Sequence, residues 1–199
     1  MTRRIVVALT GASGSIYGVR LLEELKKTDD VETHVIVSKA AYLNLSTELE
    51  MSRDGIKSLA DVVYSDKDIG ASIASGSFKT AAMIIAPCSM RTLAAVATGL
   101  AGSLITRVAD VALKERRRLL LLTREAPLNL VHLRNMTTVT EMGGIIFPPV
   151  PAFYLGLDSL ESMIDQTVAR VLELVGVASP LLKRWDGLKS AATETHRRR

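Results

Sequence analysis

Short, continuous apolar segments alternate with amphipathic segments along this chain, and that alternation constrains the fold more than any other feature. The apolar segments predict strands over residues 4–10, 32–37, 81–86, 118–123 and 144–147. Unbroken apolar character is typical of parallel strands that are covered on both faces. Helices are predicted over residues 15–27, 39–49, 91–99, 104–117, 128–142 and 159–175. The sequence therefore predicts one α/β domain with a doubly wound parallel sheet.

Composition excludes several classes of protein. Single-stranded nucleic acids are bound by basic surfaces with aromatic platforms, whereas this chain has one Trp and three Phe. Its apolar runs are shorter than the roughly 18 residues of a membrane span. The lone Cys88 cannot form an internal disulfide and is typical of a reducing compartment. We therefore expect a cytoplasmic protein that binds neither nucleic acid nor membrane.

Positive charge is concentrated in two short clusters, residues 116–118 and the terminal residues 196–199. Clusters of this kind are most often solvated surface or frayed termini. We expect the folded domain to span residues 1–185 and a basic, mobile tail to span residues 186–199.

The functional groups are expected beyond the carboxyl ends of the strands, where parallel sheets bind their ligands. The predicted ends lie at residues 10–15, 38, 87–92, 124–127 and 148–154. Residues 52–77 are rich in Gly, Ser and Asp and are predicted to form one long surface loop.

The first of these ends is a glycine-rich turn. Gly11, Gly14 and Gly18 are spaced G-x-x-G-x-x-x-G, unlike the dinucleotide fingerprint or a P-loop. The second strand ends in Ser38, with no acidic residue for a dinucleotide ribose. The pattern favours a mononucleotide whose phosphate meets helix N-termini and backbone N–H groups, although such turns also serve structure alone.

The third strand is followed by PCSMRT, in which Pro87 is predicted to end the strand. Cys88 is expected to be a small packed residue, because a nucleophilic thiol needs a neighbouring base or cation. Ser89 is expected to cap the next helix, and with Thr92 it could also bind a ligand. His34 is predicted to be buried in mid-strand. No cluster of His, Cys and Asp has metal-ligand spacing, so no metal site is predicted.

The fourth strand is followed by an adjacent cation and anion, Arg124 and Glu125. Unpaired charge is costly at a strand end, so the two residues form either a mutual salt bridge or part of a ligand site. Arg107 and Lys114 are seven residues apart, on nearly the same face of a helix. Together with Arg124 and Arg170 they could bind a phosphate without a metal ion.

Taken in order, these motifs resemble the UbiX-type flavin prenyltransferases, including the versions that form part of hydroxyarylic acid decarboxylases. The resemblance is carried by TGASGSIYGVRLL, VETHVIVSKAA, SGSFKT, PCSMRTLAAVATG, ADVALKERR, REAPL, HLRNM, PPVPAFY and KRWDGL. It implies a flavodoxin-like fold that binds FMN and forms a homododecamer with active sites between subunits. The apolar runs 93–100 and 128–131 are compatible with such interfaces.

The activity that the resemblance implies is prenyl transfer without a metal ion. A dimethylallyl group would pass from dimethylallyl phosphate to N5 and C6 of reduced FMN. The product, prenylated FMN, would be the cofactor of UbiD-type decarboxylases, in ubiquinone biosynthesis or aromatic acid degradation. The residues alone leave open whether the donor is the monophosphate or the diphosphate.

The resemblance also implies roles for individual residues. FMN would be held by a set on the strand-end loops: Gly11, Ala12, Ser13, Ser38, Ser89, Met90, Arg91, Thr92 and Arg124. The donor would contact a second set: Arg107, Lys114, Arg124, Tyr154, Arg170 and Trp185. Ser13 and Glu48 would assist proton handling, and Glu125 would support the phosphate or a proton relay.

Two other functions stay open on sequence grounds. An accessory subunit could carry FMN to a decarboxylase, but a carrier needs no second phosphate site. An FMN-dependent cysteine decarboxylase usually has a catalytic His on the first helical segment, where this chain has Ile16, Tyr17 and Gly18. The chain also departs from the prenyltransferase pattern at Arg118, where Pro is expected, and after Tyr154, where AFYLGL replaces a His-x-Pro pattern.

Overall fold

The structure, a computed structural model, describes residues 2–187. The strands in this range are β1 (Arg3–Leu9), β2 (Val31–Val37), β3 (Val62–Ser65), β4 (Ala82–Cys88), β5 (Arg118–Thr123) and β6 (Ile145–Ile146). The α-helices are α1 (Ser15–Lys26), α2 (Lys39–Leu49), α3 (Arg53–Lys57), α4 (Met90–Ala97), α5 (Leu104–Lys114), α6 (Leu130–Glu141) and α7 (Leu160–Leu174). Two 3₁₀ turns lie at Ser72–Ala74 and Phe153–Leu155.

All six strands of the described range pair in parallel, in the order β3-β2-β1-β4-β5-β6. This is the Rossmann order, and without the edge strand β3 it becomes the flavodoxin order 2-1-3-4-5. The predicted fold class is confirmed. The strand order reverses between β1 and β4, and ligands of such sheets bind beside that point.

Two apolar cores lie on the two faces of the sheet. Ile5, Val7 and Leu9 of β1 pack with α1, α2 and α7 on one face. Val6 and Ala8 pack with α4 and α5 on the other. These five side chains are fully buried, which explains why the strand reads as an unbroken apolar run.

The predicted long loop, residues 52–77, contains regular structure. It holds α3, β3 and the turn Ser72–Ala74. β3 pairs with β2 at the edge of the sheet, and its residues are only half-buried or exposed. The apolar run of this strand is only three residues, Val62 to Tyr64, which is shorter than the runs that predicted the other strands.

The ends of two predicted elements are also corrected. β4 does not stop before Pro87 but continues to Cys88, and its pairing with β5 shifts between Ile85 and Cys88. Pro87 has no N–H group to donate to the ladder, which accounts for the irregularity. α5 ends at Lys114 rather than at residue 117, because Arg116 adopts a φ of 56° that no right-handed helix accommodates.

The predicted domain over residues 1–185 lies almost wholly within the described range. The predicted tail over residues 186–199 lies outside the described residues except for Asp186 and Gly187, so its mobility stays a prediction. Among residues 2–187, no helix has both the length and the apolar character needed to span a membrane.

Candidate active site

Hydrogen bonds join three loops at the carboxyl edge of the sheet. The Thr10 hydroxyl donates to the carbonyl of Pro87 and accepts the N–H of Ser89, both at 2.8 Å. The N–H of Arg124 donates to the carbonyl of Cys88 at 3.3 Å. The loops after β1, β4 and β5, which carry most of the predicted FMN-binding residues, are therefore fixed to one another.

Helix α2 holds the first loop from the other side. The Asn44 amide donates to the carbonyl of Ala12 at 2.8 Å. The Glu48 carboxylate accepts the N–H groups of Gly14 and Ser15 at 3.0 and 2.9 Å. Asn44 and Glu48 are four residues apart, so they lie on the same face of α2.

Glu48 therefore supplies the anion at the start of α1. Gly14, the N-cap of α1, has a φ of 98° and no side chain with which to cap the helix. The carboxylate binds the N–H groups that a cap would satisfy and faces the positive end of the helix dipole. The N–H groups of Gly14 and Ser15 already bind Glu48, so they are not available to a nucleotide phosphate, which the sequence predicts at helix N-termini.

The surroundings of Glu48 favour its ionised form. Burial raises the pKa of Glu48, but hydrogen bonds from the Ser15 N–H, the Ser13 side chain and the Gly14 N–H outweigh it and leave the pKa below its usual value. Glu48 is thus a carboxylate at neutral pH, and it can accept a proton rather than donate one.

Two further predicted FMN-binding residues begin helices at the same edge. The Ser38 hydroxyl accepts the N–H of Ala41 at 3.1 Å, and the Ser89 hydroxyl accepts the N–H of Thr92 at 3.3 Å. The prediction that Ser89 caps a helix is confirmed. The first turn of α4 also carries two other members of the FMN set, the half-buried Met90 and the exposed Arg91.

Arg124 does not pair with its neighbour. Burial raises the pKa of Tyr17, and the positive charge of Arg124 opposes that shift. Among the ion pairs of residues 2–187 there is none between Arg124 and Glu125, whose carboxylate accepts the N–H of Ala126 at 3.1 Å. The salt-bridge alternative is therefore wrong. Both side chains are exposed at the edge of the sheet.

A cavity of about 440 Å³ lies between α7, the turn Phe153–Leu155 and the segment 182–185. Three predicted donor-binding residues line it: Tyr154, Arg170 and Trp185. The rings of Tyr154 and Trp185 meet edge to face, with centroids 5.4 Å apart. Arg170 forms an ion pair with Glu173, which also lines the cavity. The structure thus brings this half of the donor-binding set together.

The other half lies elsewhere in the chain. Arg107 donates to the carboxylate of Asp110 at 2.8 Å and to the carbonyl of Ala74 at 3.2 Å, while Lys114 pairs with Glu115. Lys114 precedes β5 and Arg124 follows it, so the two lie at opposite edges of the sheet, about 20 Å apart along a six-residue strand. One copy of the chain does not gather Arg107, Lys114 and Arg124 around a single phosphate.

Cys88 and His34 are structural, as predicted. Cys88 is fully buried, and burial raises the pKa of its thiol. His34 is 2% exposed, and its ring contacts the Tyr64 hydroxyl at 2.9 Å and the Glu32 carboxylate at 3.0 Å. Burial lowers the pKa of His34. In the part of the chain that the structure describes, no group of His, Cys, Asp and Glu side chains is arranged to hold a metal ion.

Comparison with known proteins decides the family. Residues 1–176 match the Flavoprotein family. The flavin prenyltransferase UbiX of Neisseria meningitidis serogroup B is 52% identical over 188 residues, which cover 94% of this chain and 99% of that protein. The chain belongs to the UbiX family of flavin prenyltransferases.

Solved structures of this family share the fold closely. AnUbiX (PadA1), in complex with FMN and dimethylallyl pyrophosphate, matches with a TM-score of 0.91 at 48% identity, over 94% of this chain and 99% of that one. A dodecameric FMN-dependent UbiX-like decarboxylase from Escherichia coli O157:H7 matches with a TM-score of 0.90 at 42% identity, over 92% of this chain and 100% of that one.

Three residues of this UbiX-family site were missed by sequence reasoning: Thr10, Asn44 and Glu173. Two of them have a signal in the spacing. Asn44 stands four residues before Glu48, and Glu173 stands three residues after Arg170, so each shares a helix face with a predicted site residue. Thr10 acts through contacts between separate segments, which local spacing does not show.

Proposed function

We propose that this protein transfers the dimethylallyl group of dimethylallyl phosphate to N5 and C6 of reduced FMN and releases prenylated FMN and phosphate. The observation that carries the proposal is the grouping of Tyr154, Arg170 and Trp185 around one cavity. A protein that only carried FMN would need no second site for a phosphate ester.

The carboxyl edge of the sheet has polar groups that fit FMN. The buried Thr123 hydroxyl at the end of β5 has no hydrogen-bond partner among the described residues, and a polar ligand could satisfy it. We propose that FMN is held by the strand-end set: Gly11, Ala12, Ser13, Ser38, Ser89, Met90, Arg91, Thr92 and Arg124. When bound and reduced, FMN supplies the electron-rich ring that accepts the prenyl group.

The cationic side chains have the chemistry that departure of the phosphate needs. As the allylic C–O bond breaks, negative charge grows on the leaving phosphate, and fixed cations stabilise it. We propose that the guanidinium groups of Arg124 and Arg170 bind the phosphate oxygens, with the Tyr154 hydroxyl as a further donor. Trp185 closes the cavity and excludes water.

Attachment of the prenyl group would release the N5 proton, and closure of the ring at C6 would exchange the C6 proton for one added to the prenyl double bond, so the two new bonds together release one proton. We propose that Ser13 and Glu48 take up a proton released at the flavin, because Glu48 is an ionised acceptor at this edge. Glu125, exposed beside Arg124, is proposed to support the phosphate or to relay a proton.

We propose that Arg107 and Lys114 serve the site of a neighbouring copy in a homododecamer. Two observations support this: Lys114 lies at the opposite end of β5 from Arg124 within one chain, and a related UbiX-like protein is dodecameric. The first turn of α6 and the residues just before it also carry a set of exposed apolar side chains: Leu128, Leu130, Val131 and Leu133. The run 93–100 contributes less than expected, since Leu93 and Val96 are buried in the chain's own core.

The product is proposed to serve a UbiD-type decarboxylase in the cytoplasm, in ubiquinone biosynthesis or in aromatic acid degradation. The proposal of a consuming enzyme is supported by the chemistry of the product, which is a modified flavin suited to serve as a cofactor.

The test is an anaerobic reaction of the purified protein with reduced FMN and dimethylallyl phosphate, without added metal. Mass spectrometry of the released flavin is expected to show one added five-carbon prenyl unit. A parallel reaction with dimethylallyl pyrophosphate identifies the donor, and oxidised FMN is the control. Unmodified FMN with both donors would leave a carrier and refute the transferase.

A further inference from the structure

One carboxylate joins two separate parts of the donor cavity. An oxygen of Glu173 binds Arg170 on the same helix, and the other oxygen binds Arg184 in the segment that follows α7. Arg184 adjoins Trp185, whose ring packs against Tyr154. The contacts therefore run around the cavity from Arg170 through Glu173 and the C-terminal segment to Tyr154.

We propose that Glu173 is a positioning residue for dimethylallyl phosphate: it orients the Arg170 guanidinium and holds the segment 182–185 across the cavity. The inference rests on the proposed function. Of the three charged side chains, Glu173 is 23% exposed while Arg170 and Arg184 are 51% and 67% exposed. Glu173 is thus the more buried partner to which both guanidinium groups attach.

The contact with Glu173 leaves Arg170 able to bind a phosphate. A guanidinium group has five N–H donors, and a single nitrogen of Arg170 contacts the carboxylate. Burial raises the pKa of Glu173, but hydrogen bonds from Arg170 and Arg184 outweigh it and keep the carboxyl ionised at neutral pH. The anchor therefore persists wherever the enzyme is assayed near neutrality.

The same segment has a second, uncharged attachment. The Gln166 amide donates to the carbonyl of Lys183 at 2.9 Å and accepts its N–H at 3.0 Å. Gln166 also lines the cavity but makes no contact with Arg170 among the hydrogen bonds and ion pairs of the described residues. When Glu173 is replaced, the segment is thus expected to stay attached to α7 at Lys183, while Arg170 and Arg184 lose their common partner and Arg184 and Trp185 move more freely.

Replacement of Glu173 distinguishes positioning from simple charge attraction, because the two predict opposite changes in the affinity for the donor. Glu173→Gln removes one negative charge from the cavity wall, and through Coulomb attraction alone this would tighten the binding of an anionic donor. Loss of a positioned guanidinium would instead weaken it. We expect the KM for dimethylallyl phosphate to rise about tenfold, as for loss of a charged hydrogen bond, while the Kd for FMN stays within about twofold.

The experiment compares wild-type enzyme, Glu173→Gln, Arg184→Gln and the double variant. Both single changes break the same link, so the double variant is expected to be no worse than Glu173→Gln alone. Glu161→Gln is the matched control, because it removes an equal charge from an exposed position in the first turn of the same helix. A donor KM that is unchanged or lower in Glu173→Gln would overturn the proposal, as would an equal loss of FMN affinity.

A readout without catalysis keeps the two proposals separate. Trp185 is the one tryptophan of the chain, so acrylamide quenching of its fluorescence reports how firmly the segment is held. Quenching is expected to increase in Glu173→Gln but not in Glu161→Gln. Wild-type enzyme that fails to prenylate FMN would refute the proposed function, whereas unchanged quenching in Glu173→Gln would refute the role of Glu173 with or without turnover.

Discussion

The Glu48 carboxylate accepts the N–H groups of Gly14 and Ser15 at 3.0 and 2.9 Å, although 33 residues separate Ser15 from Glu48 along the chain. The contact joins the start of α1 to the last turn of α2. It caps α1, whose N-cap residue Gly14 has no side chain. It also places an ionised proton acceptor at the carboxyl edge of the sheet, where the flavin is proposed to bind. A change at Glu48 is therefore expected to alter both stability and turnover.

Glu48→Gln is expected to retain FMN but to slow prenyl transfer about 10²-fold, the lower range for loss of a general acid or base. The amide keeps one acceptor oxygen for the loop but cannot take up a proton. Steady-state rates and an FMN titration test this. Glu50→Gln, at another exposed carboxylate next to the end of α2, should have wild-type rates, and an unchanged rate in Glu48→Gln would remove Glu48 from the mechanism.

The stabilisation by Glu48 is expected to depend on pH. The pKa of Glu48 in the folded protein lies below its ordinary value of 4.5. Its contribution to stability is therefore fully present above pH 4.5 and is lost as the pH falls through the lower folded pKa. Thermal unfolding of wild-type protein and Glu48→Gln should differ most near pH 7 and converge in acid. A difference that grows in acid would contradict this sign.

Arg170→Ala is expected to raise the KM for dimethylallyl phosphate by at least tenfold while the Kd for FMN is unchanged, because Arg170 lines the donor cavity and not the strand-end loops. Arg170→Lys should recover only part of the loss, since an ammonium group has no planar fork for a phosphate. The two constants are measured separately by kinetics and by flavin titration. Equal loss of donor and FMN binding would indicate a structural role instead.

Gly18→Ala is expected to destabilise the fold by about 3 kcal/mol, the upper range for overpacking a core. A Cβ atom at Gly18 would lie 2.5 Å from the Ala86 carbonyl and 2.8 Å from the Leu9 side chain, where α1 crosses the sheet. Gly102→Ala is the matched control, because nothing lies within 4 Å of a Cβ atom there. The thermal unfolding midpoint should fall for Gly18→Ala but not for Gly102→Ala. Equal shifts in the two variants would refute the close approach of α1 to the sheet at Gly18.

Mixed oligomers of Lys114→Ala and Arg170→Ala are expected to be more active than either variant alone. If Lys114 serves a neighbouring copy, some sites in a mixed assembly combine an intact Lys114 from one copy with an intact Arg170 from another. Co-expression with two affinity tags and a rate measurement on the doubly purified oligomer test this. A rate equal to the mean of the two variants would place both residues in the site of one copy.

The sequence predicts those features that depend on local patterns. α2 spans residues 39–49 as predicted, because Ser38 is a recognisable cap and the apolar strand before it ends there. β3 was not predicted because its apolar run is short. A strand at the edge of a sheet is less buried than a central strand, so it does not need a long apolar run. Lys114 is separated from Arg124 because β5 lies between them. This strand was predicted from the sequence, but the grouping of the cations relied on helix periodicity and did not take the length of the strand into account.

The contacts that assemble the site are long-range and lie beyond local pattern. Glu48 was identified by resemblance, yet nothing near it in the chain indicates that it binds Gly14 and Ser15. In the sequence, Glu173 resembles many other surface carboxylates. Arg184 reaches it only because the segment after α7 folds back along this helix. Such pairings depend on how the elements pack, which spacing within one element does not record.

Thr10 joins β1 to the loop after β4 through one hydroxyl that both donates and accepts. These hydrogen bonds preorganise the loops where FMN is proposed to bind, so little entropy should be lost by ordering them when FMN arrives. A flavin enlarged by a prenyl group also needs more room to leave than FMN needs to enter. Product escape is then expected to depend on displacement of the segment that carries Arg184 and Trp185, and that displacement would limit how fast one molecule of enzyme can be reused.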